Sequence, residues 1–193
     1  MIIGITGGTG CGKTTALDVI EELGGLVLDC DAIYHELLQT DKAMLSGIEG
    51  RFPGTVVDGI LQRKKLGAIV FADEEALKDL NAITHSAVKK EVLRRLETAP
   101  ALAAIDAIGL FEGNLAPLCD FTVAVTAPAE IRVARLMARD GVTEEYARAR
   151  IGAQRSREEF AQLCDYELVN DGTKEQFREK CLAFFRQMGI MKI

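Results

Sequence analysis

The five cysteines (Cys11, Cys30, Cys119, Cys164 and Cys181) include no C-x-x-C pair, and an odd number cannot pair completely within one chain. This argues against a disulfide framework and predicts reduced thiols in a reducing cytoplasm. No stretch reaches the roughly 18 apolar residues of a membrane span. The apolar start Met1-Ile2-Ile3 stops at Gly4 without a basic n-region, so a signal peptide is not expected. Positive charge is also short: 23 Lys and Arg face 29 Asp and Glu, a net charge of −6. Attraction to nucleic acid or to an anionic membrane is therefore not expected. Internal repeats and low-complexity tracts are absent as well. These absences leave a cytoplasmic globular protein. Its 193 residues, 48% hydrophobic and 27% charged, suit one domain or a core with a small inserted subdomain.

What is present is an alternation of short apolar runs with longer helical patterns. Strands are predicted at Ile2–Ile5, Leu26–Leu28, Leu102–Ile105, Phe121–Val125 and Glu167–Val169. Ala16, Val19, Ile20 and Leu23 share one face of a helix that Gly24-Gly25 ends. Residues 32–96 are mostly helical in pattern, with an interruption near Gly47 to Gly59. Phe177, Cys181, Phe184, Phe185 and Met188 form the apolar stripe of a last helix. The expected fold is α/β, a doubly wound parallel sheet of about five strands forming a single domain over 1–193. In such sheets ligands bind beyond the carboxyl ends of the strands.

Gly7-Gly8-Thr9-Gly10-Cys11-Gly12-Lys13-Thr14 matches G-x-x-x-x-G-K-[ST] at every fixed position. It follows a predicted strand and precedes an amphipathic helix, the context the motif requires. Its glycines let successive N–H groups converge on phosphate oxygens. Lys13 is placed to neutralise the β- and γ-phosphates, and the Thr14 hydroxyl to ligate Mg²⁺. The loop is the expected nucleotide site. Cys11 occupies a variable position, as a small residue that fits.

Asp106-Ala107-Ile108-Gly109 reads D-x-x-G, as a GTPase switch element would, but no N-K-x-D sequence follows. A kinase is the better reading than a nucleotide-binding switch. Residues 132–157 carry seven arginines (Arg132, Arg135, Arg139, Arg148, Arg150, Arg155, Arg157) against Asp140, Glu144 and Glu145, or 7 − 3 = +4. That segment is expected to be a lid closing over ATP, with Arg139 as a catalytic cation, one or two of the other arginines beside it and the rest on the surface. Asp29-Cys30-Asp31 ends the second strand. A carboxylate there is expected to face the same crevice and to take the acceptor's proton or hold Mg²⁺ through water; Asp31 also suits the cap of a helix starting near Ala32, and the two roles are compatible.

Several fragments, in this order, resemble the dephospho-coenzyme A kinase family, from Gly4 to Gly172. They are Gly4-Ile5-Thr6-Gly7-Gly8 with the phosphate loop, Leu28-Asp29-Cys30-Asp31, and Gly59-Ile60-Leu61-Gln62-Arg63 followed by Leu66 and Val70-Phe71. Asn81 to His85, Leu110-Phe111-Glu112, Arg135-Leu136 with Arg139, Arg150-Ile151 with Gln154, and Val169 to Gly172 complete the series. The resemblance implies a P-loop nucleotide-kinase fold with a helical acceptor-binding insertion at about 32–96. It further implies transfer of the ATP γ-phosphate to the ribose 3′-hydroxyl of dephospho-coenzyme A, with Mg²⁺. Gly8 to Thr15 would bind ATP, Asp31 would be the base, and Thr6, Arg63, His85 and Arg139 would line the acceptor or phosphoryl site. Ser86 stands where the family usually has proline, and Ile108-Gly109 where it has Pro-Leu. A nucleoside or nucleotide kinase on the same core is the alternative, and oligomeric state is left open.

Overall fold

A computed structural model describes residues 1–190. In chain order the elements are β1 (Ile2–Thr6), α1 (Lys13–Glu22), β2 (Leu26–Asp29), α2 (Cys30–Thr40), α3 (Lys42–Arg51), β3 (Val56–Val57), β4 (Ile60–Leu61), α4 (Arg63–Val70) and α5 (Glu74–Leu96). There follow β5 (Ala103–Asp106), a 3₁₀ turn at Ala116–Leu118, β6 (Phe121–Thr126), α6 (Ala129–Asp140), α7 (Glu144–Gly152), α8 (Arg157–Leu163), β7 (Tyr166–Val169) and α9 (Lys174–Gln187). The chain forms two compact units. One comprises Met1–Leu28, Ala99–Leu110 and 116 onward; the other comprises Asp29–Thr98 and Phe111–Leu115. The second unit contains the insertion expected over 32–96.

The five-stranded sheet has the order β2-β5-β1-β6-β7, and the pairs β1–β5, β1–β6 and β6–β7 run parallel. β1 is the central strand; the chain fills one side of it with β2 and β5, then crosses to the other side with β6 and β7. It is therefore the topological switch point, where α/β sheets bind ligands. Ile3, Ile5, Val123 and Val125 pack against Ala16, Val19 and Ile20 of α1 and Phe177, Cys181 and Phe185 of α9. All five predicted strands and the terminal helix stripe are present, because buried parallel strands read as continuous apolar runs. Phe184 and Met188 of that stripe are only half-buried.

The chain leaves β1 through Gly7, whose φ is 141° and where an added Cβ would lie 2.1 Å from the Val125 carbonyl oxygen. No side chain fits there, so glycine is obligatory for the loop's path beside β6. α6 and α7 enclose a small core of Val133, Leu136 and Ala147, with Val142 and Ile151 against it. The Arg-rich segment expected to order over phosphate is thus two packed helices and the start of α8. Its charge is answered locally: Arg148 pairs with Glu130 and Glu144, Arg150 with Asp140, and Arg157 with Glu167. Two of those acids, Glu130 and Glu167, lie outside the 132–157 window over which the charge was counted.

In the second unit three aspartates cap helices in succession. Asp29, Asp41 and Asp73 each accept backbone N–H bonds at the starts of α2, α3 and α5. The cap expected from Asp31 is therefore corrected: α2 starts at Cys30, and Asp29 accepts from the Asp31 and Ala32 amides at 2.9 and 3.0 Å. The interruption expected from Gly47 is also shorter, since α3 runs through Gly47 to Arg51. β3 and β4 then form a two-residue hairpin in which Val57 pairs with Ile60. Asp58 and Gly59 have φ of 52° and 75°, the doubly left-handed turn that an Asp-Gly pair favours.

On α5 the Arg94 guanidinium, and after it Arg95, hold the Glu91 carboxyl down at about 2. Arg95 also reaches Glu36 of α2 at 2.6 Å. A depressed carboxyl pKa adds stability above the unfolded value and loses it as pH falls through the folded one. Glu91→Gln should therefore destabilise by on the order of 1 kcal/mol above about pH 5. The difference should vanish as pH approaches about 2. Urea unfolding of both chains at pH 3 and pH 7 checks this.

Candidate active site

β1 ends at Thr6, and the loop from Gly7 leads into α1 with Gly12 (φ 89°) as a cap position that has no side-chain cap bond. The first amides of α1 are thus left without a capping side chain, and with the helix dipole they form an anion site. Lys13 folds back so that its Nζ donates to the Gly7 carbonyl at 3.0 Å. Thr14 is exposed, Thr15 is buried, and Cys11 is a buried member of the core. Cys11 thus fills core space, as its variable position in the motif implies.

Four side chains grip the loop from outside. Gln154 Oε1 accepts from the Thr9 amide at 2.8 Å, and Arg132 Nε donates to the Thr9 carbonyl at 2.9 Å. Arg135 Nη1 donates to the Gly10 carbonyl at 3.3 Å, and Asn170 Nδ2 to the Cys11 carbonyl at 2.9 Å. Arg135 Nη2 donates to Asn170 Oδ1 at 2.9 Å, so α6 and the turn after β7 hold one another as well. Gly12 leaves room for this, since a Cβ there would lie 2.3 Å from Asn170 Nδ2.

These four were not among the residues expected from sequence to bind ligand. Arg135, Gln154 and Asn170 stood in the family-like fragments, which was the available signal. Arg132 carried no signal beyond being one of seven arginines.

Thr6 is buried, and its hydroxyl donates to the Ile108 carbonyl at 3.1 Å, tying the loop after β5 to the end of β1. Arg139 makes a two-pronged pair with its neighbour Asp140, at 2.6 and 2.9 Å. A phosphoryl group would have to displace that carboxylate to engage it. Asp106 of the D-x-x-G sequence ends β5 in register with Ile5 of β1. That puts a carboxylate one strand over from the phosphate loop, an adjacency no linear pattern displays.

Asp31, Arg63 and His85 belong to the second unit. Asp31 is exposed in the first turn of α2, and among the described residues nothing bonds its carboxylate. Its carbonyl takes the His35 ring nitrogen at 2.7 Å. Arg63 opens α4, and Tyr34 lies within its field. Burial pushes the Tyr34 phenol up, against a smaller opposing pull from Arg63. His85, half-buried on α5, has Nδ1 3.2 Å from the Glu112 carbonyl oxygen. Bonding there requires the proton on Nδ1.

Magnesium takes a few oxygen donors and keeps several waters. The exposed Thr14 hydroxyl and the Asp106 carboxylate are donors of that kind. Among the described residues no group of three or more His, Cys, Asp or Glu forms a closed metal cage.

A parallel sheet with the phosphate loop after its central strand, that loop held by two arginines of α6, defines a P-loop kinase. The chain belongs to the dephospho-CoA kinase family, whose model matches residues 1–176. It is 37% identical over 198 residues to the dephospho-CoA kinase of Geobacillus kaustophilus, covering 100% of this chain and 98% of that one. A crystal structure from Thermus thermophilus superposes with a TM-score of 0.80 at 34% identity, covering 97% of each chain. The dephospho-CoA kinase from Campylobacter jejuni gives a TM-score of 0.67 at 27% identity, covering 98% of each.

Proposed function

We propose that this kinase transfers the γ-phosphate of ATP to the ribose 3′-hydroxyl of dephospho-CoA, the last step of coenzyme A synthesis, in the cytoplasm. The observation that carries the reading is the externally gripped phosphate loop in a chain of this family. Phosphoryl transfer needs positioning and charge more than covalent help. The loop amides and Lys13 bind and neutralise the phosphate chain, with Gly8 to Thr15 as the ATP site. Asp31 accepts the acceptor hydroxyl's proton. Thr6, Arg63 and His85 line the acceptor side, and Arg139 adds positive charge at the phosphoryl group after exchanging Asp140. Thr14 and Asp106 would hold Mg²⁺, which when bound supplies charge neutralisation on the phosphates. α6 and α7 act as the lid expected over 132–157. Among the described residues no helix is long and apolar enough to cross a membrane.

Incubation with ATP and, separately, dephospho-CoA, adenosine, AMP and pantetheine tests the proposal. Phosphorus NMR and mass spectrometry should find one new phosphate, on the 3′ oxygen of dephospho-CoA. Phosphate on AMP, adenosine or the pantetheine arm would overturn the assignment.

A further inference from the structure

Arg132 is only 4% exposed, yet among the described residues no carboxylate pairs with it. A buried guanidinium without a counter-charge is costly, and an apolar side chain of similar volume is usually neutral or better there. Stability therefore does not explain it. Its two bonds do suggest a purpose. Nε donates to the Thr9 carbonyl at 2.9 Å, and Nη2 donates at 3.1 Å to the same Gln154 Oε1 that accepts the Thr9 amide. Both backbone groups of Thr9 are thus tied to the outer side of the loop.

A trans peptide points its C=O and the following N–H in opposite directions. Fixing the Thr9 carbonyl outward therefore turns the Gly10 N–H inward. The Asn170 bond to the Cys11 carbonyl does the same for the Gly12 N–H. Among the described residues neither amide has an acceptor, whereas the Cys11 amide between them is taken by the Gly8 carbonyl at 3.3 Å. Gly8 leaves the room this needs. A Cβ there would lie 2.3 Å from Arg132 Nη2 and 2.9 Å from Gln154 Oε1.

We infer that Arg132 and Gln154 are a positioning pair that presets the Thr9–Gly10 peptide, so that the phosphate loop meets ATP with its amides already aimed. Neither side chain need touch phosphate. Part of the loop's reorganisation cost is removed before binding, which raises affinity. The inference rests on the reading that this loop binds ATP.

The test is calorimetric ATP binding, with thermal melts, on wild type, Arg132→Met, Arg132→Lys and Gln154→Leu. Arg132→Met should melt at or above the wild-type temperature, yet bind ATP at least about tenfold more weakly, the loss of one charge-assisted bond. Arg132→Lys keeps one donor and should recover part of that loss. Gln154→Leu removes no charge but frees the Thr9 amide, so it should also weaken ATP binding, while dephospho-CoA affinity stays within about twofold. Unchanged ATP affinity in Gln154→Leu would overturn the pair, leaving Arg132 at most a charge effect. If Arg132→Met fails to fold, Gln154→Leu alone decides. Failure of wild type to bind ATP would instead remove the underlying reading.

Discussion

Asp31→Asn should lower kcat by about 10²–10⁴ while leaving the melting temperature nearly unchanged. The reason for the second half is the Asp29 cap. Asp29 already accepts both the Asp31 and Ala32 amides, so the side chain at 31 contributes nothing to capping α2. Asparagine loses only the favourable placement of a negative charge in the first turn, less than about 1 kcal/mol. The mirror experiment is Asp29→Ala, which should cost about 1 kcal/mol of stability through the lost cap. Activity near wild type in Asp31→Asn, measured with dephospho-CoA saturating and chemistry rate-limiting, would end the proposal that Asp31 is the base. Raised Mg²⁺ should not restore the asparagine variant. Restoration would point to metal binding instead.

Lys13→Met should reduce kcat/KM by at least about 10²–10³, the usual cost of losing one preorganised charge at a developing anion. The thioether keeps most of the stem volume, and among the described residues the lysine's one side-chain hydrogen bond goes to the Gly7 carbonyl within its own loop. The fold should therefore survive, as circular dichroism and the melting curve can verify. Steady-state kinetics with varied ATP would then show the loss directly. Wild-type turnover in this variant would contradict phosphate neutralisation by Lys13.

The two experiments separate features that differ in how openly the chain displays them. The phosphate loop is local: its glycines, Lys13 and Thr14 act through a few consecutive peptides, so the linear pattern carries the geometry. The strands and α9 were legible for the same reason, since one buried face or two leave a period that can be read. The β3–β4 hairpin was not read, although an Asp-Gly pair at 58 and 59 favours one, because glycines at 47, 50 and 54 suggested one long interruption. α3 runs through Gly47 and Gly50 because three of its residues, Met44, Leu45 and Ile48, are buried, and burial outweighs a glycine's cost of about 1 kcal/mol.

The cap at Asp29 shows where local reading stops. Asp29 and Asp31 are both good N-cap residues, and only the backbone path from β2 into α2 decides which one precedes the first helical residue. The arginines show it more strongly. Seven in one window marked a basic segment, but not that Arg139, Arg148, Arg150 and Arg157 would meet carboxylates while Arg132 and Arg135 met the loop. Those choices depend on the α6–α7 packing, which brings Gln154 to Thr9 across 145 positions, and on the β6–β7 pairing, which brings Asn170 to Cys11 across 159. The sequence by itself determined the phosphate-loop motif, the parallel sheet and the family, because each is written in short-range pattern. Tertiary structure decided which side chains hold that site in shape, because hydrogen bonds between distant segments exist only once the strands have set their order.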